Sequence, residues 1–433
     1  MRDEIKKYVL TNKTVFDISF GVLLFILRWL SITIVVFSSE LLINYGILGA
    51  ISFILAMGAA LILFSEIARR IKQRFHNKSS LEDIINIRTE GITRRVMLTM
   101  LLLLNLSLLV IQVFAVTLML DTVFNLPAYT GHMIFFSLLF FYVVIGKGKV
   151  IIRLSPLFVT IIFSSVILIP VYFFIQEGVK PVYDGIWLYH PYLLYWKNDN
   201  NLPLVLTSFL LFLSILTVDR TTWQRLLALK TNQVREAISM SGITIVTILL
   251  AVISMVLISL SNEGYTNAST VLFNLVHQLQ SPVLIGLFIS FCFVISLSAL
   301  GSEVHTLVKI IQRSITRLIN RNERLTKVNE PVLVLLVILV LFFIGLYAPN
   351  NLLGFLFAYG IICASMITPM LIIILTKYSL PRHTVLIIFS AITLGFVMYY
   401  AYGIFSGVWV SFLLSAGITG LTYSVQLLKR NRY

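Results

Sequence analysis

The sequence predicts an all-α polytopic membrane protein with about twelve transmembrane helices, and three observations support this. Of its 433 residues, 58% are hydrophobic and only 12% are charged, whereas about 25% of residues in soluble domains are charged. The mean hydropathy is +0.96. Apolar runs long enough to cross a bilayer recur along the whole chain, and basic residues are concentrated in alternate connecting loops.

The apolar runs define the predicted spans in chain order. These spans cover residues 15–37, 46–68, 96–120, 132–146, 154–175, 204–218, 238–261, 281–308, 331–348, 351–376, 383–402 and 405–428. The first run is too long for a cleavable signal peptide, so none is expected. The exterior segments 176–202 and 262–280 are each expected to hold a short helix, the first with an interfacial aromatic belt.

The positions of the basic residues predict how the chain is oriented in the membrane, and which kind of partner it has. All but three of the 33 Lys and Arg residues fall at the termini or in loops on one side of the predicted spans; the exceptions are Arg28, Lys180 and Lys197. The positive-inside rule therefore places both termini in the cytoplasm and the chain in the cytoplasmic membrane. The net charge of +15 is an orientation signal, so the expected partner is the lipid bilayer and not nucleic acid.

The number of spans also predicts an internal symmetry. Residues 1–433 are expected to form a single transmembrane domain, with a first five-helix repeat at 15–175 and a second at 204–376. Because five is odd, the sixth helix enters from the side opposite to the first, and the two halves would be inverted copies, as in many secondary transporters. Residues 383–428 would form two additional helices.

The first span holds the most unusual residue of the sequence. In the stretch "FILRWLSIT", Arg28 lies in the middle of an apolar run whose only other charge is Asp17, near its start. A guanidinium there costs about 2.5–3.5 kcal/mol on insertion scales. A charge placed at that cost predicts a functional site.

The stretch "DRTTWQRLLALK", from Asp219 to Lys230 at the predicted cytoplasmic end of the sixth span, provides the strongest local signal. It resembles the sodium:solute symporter family, whose members carry an Asp/Asn-x-x-x-x-Gln-Arg-x-x-Ala-Ala-Lys-like stretch there. The matching residues are Gln224, Arg225, Ala228 and Lys230.

Three further segments, "SLEDIINIR", "GKGKVIIRLSP" and "SLSALGSEV", resemble family segments in the same order. The resemblance covers about residues 15–380. It implies the LeuT-like fold of the APC superfamily, with five plus five inverted helices.

The resemblance also shows where this chain departs from the family. Sodium-dependent members hold the ion between the broken middle of helix one and helix eight, where a backbone carbonyl and two adjacent hydroxyls bind it. The equivalent positions here are the Ile295 carbonyl, Ser298 and Ala299, and alanine has no side-chain oxygen. Ser155 stands in place of the helix-five aspartate. We therefore predict sodium independence, no metal and no cofactor.

Three interpretations of Arg28 stay open on the sequence. Its guanidinium could stand where sodium would stand, within about 4 Å of Ser298, Ser302 or Glu303 of helix eight. It could instead pair with another buried acid or a helix terminus, or bind an anionic substrate directly. Trp29 and Ser31 flank it in the expected helix break. Glu303 is either a proton-coupling group or a carboxylate that is solvated or paired with Arg28.

The remaining polar residues of the spans limit the substrate. Gln112 shares a helix face with Asn105, which suits interhelical bonding or substrate contact. The sixth span offers Ser208 and Ser214 among its few hydroxyls, and no carboxylate within the run. These groups are too few for a sugar site, so the expected solute is small and partly apolar or anionic.

The predicted function is solute transport by alternating access. A transporter-shaped sensor or accessory subunit that binds without turnover is the first alternative. A membrane glycan polymerase or glycosyltransferase is the second, with the exterior loop as its catalytic candidate. No nucleotide loop, metal-ligand spacing or nucleophile motif is present in the sequence, so a non-enzyme is expected.

Overall fold

The computed structural model describes residues 16–75, 80–124, 128–146, 149–262, 265, 267–319, 330–347, 352–376, 380 and 383–430. The helices are α1 Ile18–Trp29, α2 Ile32–Arg74, α3 Leu81–Arg88, α4 Gly91–Phe124, α5 Ala128–Gly146, α6 Lys149–Glu177, α7 Lys180–Tyr189, α8 Asn201–Val218, α9 Arg220–Leu227, α10 Val234–Asn262, α11 Val271–Gln278, α12 Pro282–Ile319, α13 Glu330–Gly345, α14 Leu352–Leu375, α15 Thr384–Tyr402 and α16 Ile404–Arg430.

The helices confirm the predicted multi-pass membrane protein. Within the described ranges, 10 helices are long and apolar enough to cross a membrane, and α1 and α13 are shorter apolar helices. From the third onward, each predicted span corresponds to one of the helices between α4 and α16 in the described ranges, with ends that differ by a few residues. The exterior helices also occur, as α7 and α11. The orientation of the termini stays a prediction.

The first predicted span is interrupted in the middle. Leu30 and Ser31 have extended backbone between α1 and α2. After this break α2 runs on through the second predicted span but turns at Gly46, whose φ is 75°. A Cβ atom at Gly46 would lie 3.0 Å from the Leu193 carbonyl oxygen. Glycine therefore suits both the left-handed backbone and the close approach there.

The sixth predicted span, 204–218, forms α8, but a second short helix follows it directly where the sequence analysis expected a connecting loop. Asp219 has extended backbone between α8 and α9 and is only 6% exposed. The expectation of a loop was wrong for Arg220–Leu227, because these residues form α9 and bury Trp223 and Leu226. Most of the Asp219–Lys230 motif is therefore a buried helix that follows α8 after a break at Asp219.

The two broken helices lie at the centre of the packing. The element α2 packs against α8 and α10, and α1 packs against α10 and α12. The helix α14 covers α8 and α4, while α15 and α16 pack on each other and on α14. This arrangement brings the breaks after α1 and α8 next to α12.

Labelling of engineered cysteines tests the orientation. Asn200 and Glu90 are both exposed and lie on opposite sides in the predicted topology. We expect Asn200→Cys to react with a membrane-impermeant maleimide in intact cells. Glu90→Cys should react only after permeabilisation, because its loop belongs to the basic, cytoplasmic set. Both variants are made with Cys292 and Cys363 replaced by serine. The opposite labelling pattern would overturn the orientation and the inverted-repeat prediction.

Candidate functional site

Three buried charged side chains meet where the two broken helices approach α12. Arg28 Nε donates to Asp219 Oδ2 at 2.9 Å, and Arg28 Nη2 donates to Asp219 Oδ1. Arg28 Nη1 forms an ion pair with Glu303 Oε1. The exposed fractions of Arg28, Asp219 and Glu303 are 5%, 6% and 0%. One guanidinium thus links α1, the break before α9, and α12; we call these three residues the central charge cluster.

The helix breaks stabilise two of these charges. Arg28 lies in the last turn of α1, where the carbonyl ends of the helix favour a cation. Asp219 is the N-cap of α9 and accepts the backbone N–H of Thr222 at 2.8 Å. An aspartate at this position satisfies an otherwise unpaired N–H group and complements the helix dipole. The two opposite charges therefore lie at the helix ends that suit them.

Glu303 lies within α12 and is held by side chains from other helices. Thr221 Oγ1 of α9 donates to Glu303 Oε1 at 3.1 Å, and the Asn105 amide of α4 donates to Glu303 Oε2. Next to it, Trp29 Nε1 donates to Thr222 Oγ1 at 3.2 Å. The central charge cluster therefore joins α1, α4, α9 and α12 through polar contacts.

The helix-eight contacts of Arg28 only partly match the expectation from sequence. The distance condition is met through Glu303, which corresponds to one of the named partners. Ser302 Oγ donates instead to the Ala299 carbonyl at 2.9 Å. Ser298 Oγ lies 3.4 Å from the carbonyl oxygens of both Leu27 and Ile295 and donates to them. Ser298 thus bridges α1 and α12 directly.

The other residues selected from the sequence take different positions. Ser214 Oγ donates to the Leu210 carbonyl within α8. Ser31 is the N-cap of α2 but its side chain makes no capping hydrogen bond. Gln112 Oε1 and Ser208 Oγ are buried without a hydrogen-bond partner in the described part of the chain. In the described part of the chain, none of these four side chains makes a hydrogen bond or ion pair with the central charge cluster, and Ser155 is fully buried in α6.

A second group of contacts fastens the cytoplasmic ends of α1 and α9 in the predicted topology. The Phe16 N–H donates to the Ala228 carbonyl at 2.8 Å, and the Lys230 N–H donates to the Phe16 carbonyl at 3.4 Å. The Lys230 ammonium bonds to Asp17, and this hydrogen bond and charge lower the pKa of the Asp17 carboxyl. Arg225 Nη1 also donates to the Leu24 carbonyl. We call these contacts the inner latch.

The sequence analysis missed a third group of contacts, around Glu40. Glu40 is 2% exposed, and its carboxylate accepts the N–H groups of Leu352 at 3.0 Å and Leu353 at 2.6 Å, and the Ser269 hydroxyl. It therefore ties α2 to the start of α14 and to the segment before α11. We call these contacts the outer latch. The signal in the sequence was a lone acid in "FSSELLINYG", which the predicted span boundaries placed in an exterior loop.

Comparison with known proteins addresses the fold. No known family model and no curated protein sequence matches the chain. A solved structure of a Na⁺-coupled sialic acid symporter in a substrate-bound, outward-open state aligns over 97% of this chain and 93% of that chain, with a TM-score of 0.72 and 12% identity. This chain has the LeuT fold.

A second solved structure supports the same conclusion. Mhp1, a nucleobase-cation-symport-1 family transporter in a closed conformation with bromovinylhydantoin bound, aligns over 95% of this chain and 94% of that chain. The TM-score is 0.61 and the identity 11%. The predicted LeuT-like fold is confirmed, while membership of the sodium:solute symporter family stays a prediction.

Proposed function

We propose that the protein is a divergent relative of the sodium:solute symporters and moves a small solute across the cytoplasmic membrane by alternating access, without sodium. The observation that supports this most is the bridge made by Arg28 between both helix breaks and α12. In transporters built from inverted repeats, alternating access is largely a rocking of one repeat or helix bundle against the other around a site formed by broken helices. A fixed cation that joins them takes the structural role of a bound ion.

The surroundings of Ser298 support sodium independence. Its hydroxyl already bonds to the Leu27 carbonyl, and the methyl group of Ala299 offers no ligand. A hard cation needs several oxygen ligands, and position 299 supplies no side-chain oxygen.

The same contacts bear on the solute. All three nitrogen atoms of the Arg28 guanidinium contact a carboxylate oxygen of Asp219 or Glu303. An anionic substrate would therefore have to displace a buried carboxylate to pair with Arg28. Removing one partner from a buried ion pair is strongly unfavourable. Direct pairing of Arg28 with an anion is therefore the weakest of the three interpretations, and we propose a partly apolar solute.

A non-transporting sensor or accessory subunit is the second candidate. A central site closed by ion pairs, together with latches at both ends, also suits a protein that holds one conformation until a partner or solute binds. Uptake into proteoliposomes separates the two, because only a transporter accumulates solute over many turnovers.

The decisive assay measures uptake of labelled amino acids, carboxylates, nucleobases and sugars by proteoliposomes in sodium chloride and in choline chloride of equal ionic strength. We expect at least one solute to be taken up, at rates that differ less than about twofold between the salts. Ala299→Thr is the matched variant, since it restores a hydroxyl while Arg28 remains, and it should stay sodium-independent. A saturable sodium dependence of wild-type uptake would refute the ion-substitute role of Arg28, and uptake of none of the solutes would favour the sensor.

A further inference from the structure

We propose that Glu303 is the proton-binding group of this protein and that transport is coupled to its protonation. The proposal rests on the transport function proposed above and names its coupling ion. It starts from the charges of the central cluster, in which two carboxylates share one guanidinium. The cluster therefore carries one more negative than positive charge, and one proton neutralises it.

Arg28 itself cannot carry the coupling ion. An arginine stays protonated at any physiological pH, so its charge neither arrives nor leaves during a cycle. A chain that replaces a mobile sodium ion with a fixed guanidinium keeps the structural bridge but loses the coupling. A titratable neighbour can restore the coupling, and Asp219 and Glu303 are the two carboxylates that form ion pairs with Arg28.

The geometry selects Glu303 over Asp219. Asp219 accepts two bonds from Arg28 and one from the Thr222 N–H at the start of a helix. Such charge-assisted bonds favour the ionised carboxylate. Glu303 lies in the middle of α12 and caps no helix, and its hydrogen-bond donors, Thr221 and Asn105, are neutral. Arg28 Nη1 is within ion-pair distance of Glu303 but makes no hydrogen bond.

The pocket around Glu303 also accommodates the protonated form. Asn105 is buried, and its Oδ1 atom has no hydrogen-bond partner in the described structure. A flip of the Asn105 amide exchanges the donor for this acceptor, so a protonated Glu303 can donate its O–H to Oδ1. The Thr221 hydroxyl can likewise switch from donor to acceptor. Proton binding forms one O–H bond on Glu303 and breaks none, and proton release returns H⁺ to water.

The charged groups of α9 link the proton on Glu303 to the inner latch between α1 and α9. Arg220 and Arg225 both act electrostatically on Glu303. Arg220 Nε is paired with Glu82 Oε1 of α3 at 3.0 Å, so its charge is largely compensated. Arg225 also bonds to the Leu24 carbonyl of α1. The positive charge facing Glu303 therefore depends on the contact between α1 and α9, and separation of these helices changes the proton affinity of Glu303.

The other titratable groups near the cluster leave Glu303 as the proton site. Tyr359 and Cys363 of α14 interact with each other and with Asp219. Tyr142 of α5 packs against Gly301, one half-turn before Glu303. A phenol or thiol buried in an apolar environment stays neutral at physiological pH, since its reference pKa already lies well above 7.

Infrared difference spectroscopy of the full-length protein in lipid nanodiscs tests the proposal with the proton alone. Acidification should produce the carbonyl band of a protonated carboxylic acid in the wild type. The part of this band that arises from Glu303 should be absent in Glu303→Gln and present in the control variant Glu40→Gln. Thr221→Val removes one hydrogen-bond donor to the ionised carboxylate. The midpoint pH at which the band appears should therefore rise by about one unit. Thr306→Val, whose hydroxyl bonds to the Ser302 carbonyl in the same helix, should leave the midpoint unchanged. An unaltered band in Glu303→Gln, or no difference between the two threonine variants, would overturn the proposal.

Uptake measurements separate this proposal from the function on which it rests. Any solute that the wild type takes up should accumulate at least about tenfold less in Glu303→Gln when a pH gradient is imposed, as expected when the driving ion has no site. If the Glu303 band titrates but the rate of uptake does not depend on the pH gradient, proton coupling is refuted and the transport function is not. Uptake of no solute would refute transport, even with an intact titration.

Discussion

Replacement of Arg28 by alanine is expected to abolish solute uptake and to lower the free energy of unfolding by about 3–5 kcal/mol. The variant leaves Asp219 and Glu303 as two buried carboxylates without their shared cation, and they repel each other across the gap. It also removes the bridge between α1, α9 and α12. Uptake into proteoliposomes measures the first effect, and the thermal unfolding of detergent-solubilised protein measures the second.

Two further variants separate the charge of Arg28 from its shape. Arg28→Lys keeps the charge but not the planar fork that binds Asp219 through two atoms, so it should retain part of the stability and uptake. The triple variant Arg28→Met, Asp219→Asn, Glu303→Gln removes all three charges. It should recover much of the stability, because no buried charge is left unpaired, yet take up no solute.

Arg94→Ala provides the surface control. Arg94 is exposed near the start of α4, and its loss should change stability by no more than about 0.5 kcal/mol. Wild-type uptake by Arg28→Ala would show that the central charge cluster is dispensable. Wild-type uptake by the triple variant would show that its charges serve packing alone.

The helices could be predicted from the sequence because hydropathy and length determine them locally. A run such as 351–376 needs no knowledge of the rest of the chain, and α14 spans Leu352–Leu375. The helix bounds follow from neighbours in sequence alone. The break after α1 was expected for another reason, because the resemblance to the sodium:solute symporter family implies a broken first helix.

The partner of Arg28 could not be predicted because it is created by tertiary contact. Asp219 lies 191 residues from Arg28 and is followed by Arg220 and Arg225. In a hydropathy window that sequence looks like a charged end of a span, although the folded chain buries it at the centre. Asn105, by contrast, was expected to bond between helices, and it does so with Glu303.

Glu40 shows the same limit at the exterior end of the predicted topology. Glu40 lies between the first predicted span, 15–37, and the second, 46–68, so the sequence analysis assigned it to a loop and not to a continuing helix. The structure instead places it within α2 and against the N-terminus of α14. A carboxylate is favourable there because the first N–H groups of a helix have no partner within the helix.

Replacement of Glu40 by alanine is the second large expected effect, and it concerns the exterior gate. The variant removes the acceptor of the Leu352 and Leu353 N–H groups and of the Ser269 hydroxyl. Each buried donor left unpaired costs about 1–3 kcal/mol in the latched state. Water can satisfy these donors once α14 separates from α2, so the variant favours the open state.

Reactivity of a reporter cysteine measures this shift. Gln112→Cys, made with Cys292 and Cys363 replaced by serine, places a thiol at a position of α4 that is 2% exposed. From outside, its labelling rate should rise roughly tenfold in Glu40→Ala, since about 1.4 kcal/mol corresponds to a factor of ten. Glu177→Ala, at the exposed end of α6, should leave the rate unchanged. Ser269→Ala should give a smaller increase, because Glu40 keeps both N–H donors of α14. Equal labelling rates in all four proteins would mean that Glu40 does not hold the exterior end closed, and that α14 and α2 are kept together by their apolar contacts alone.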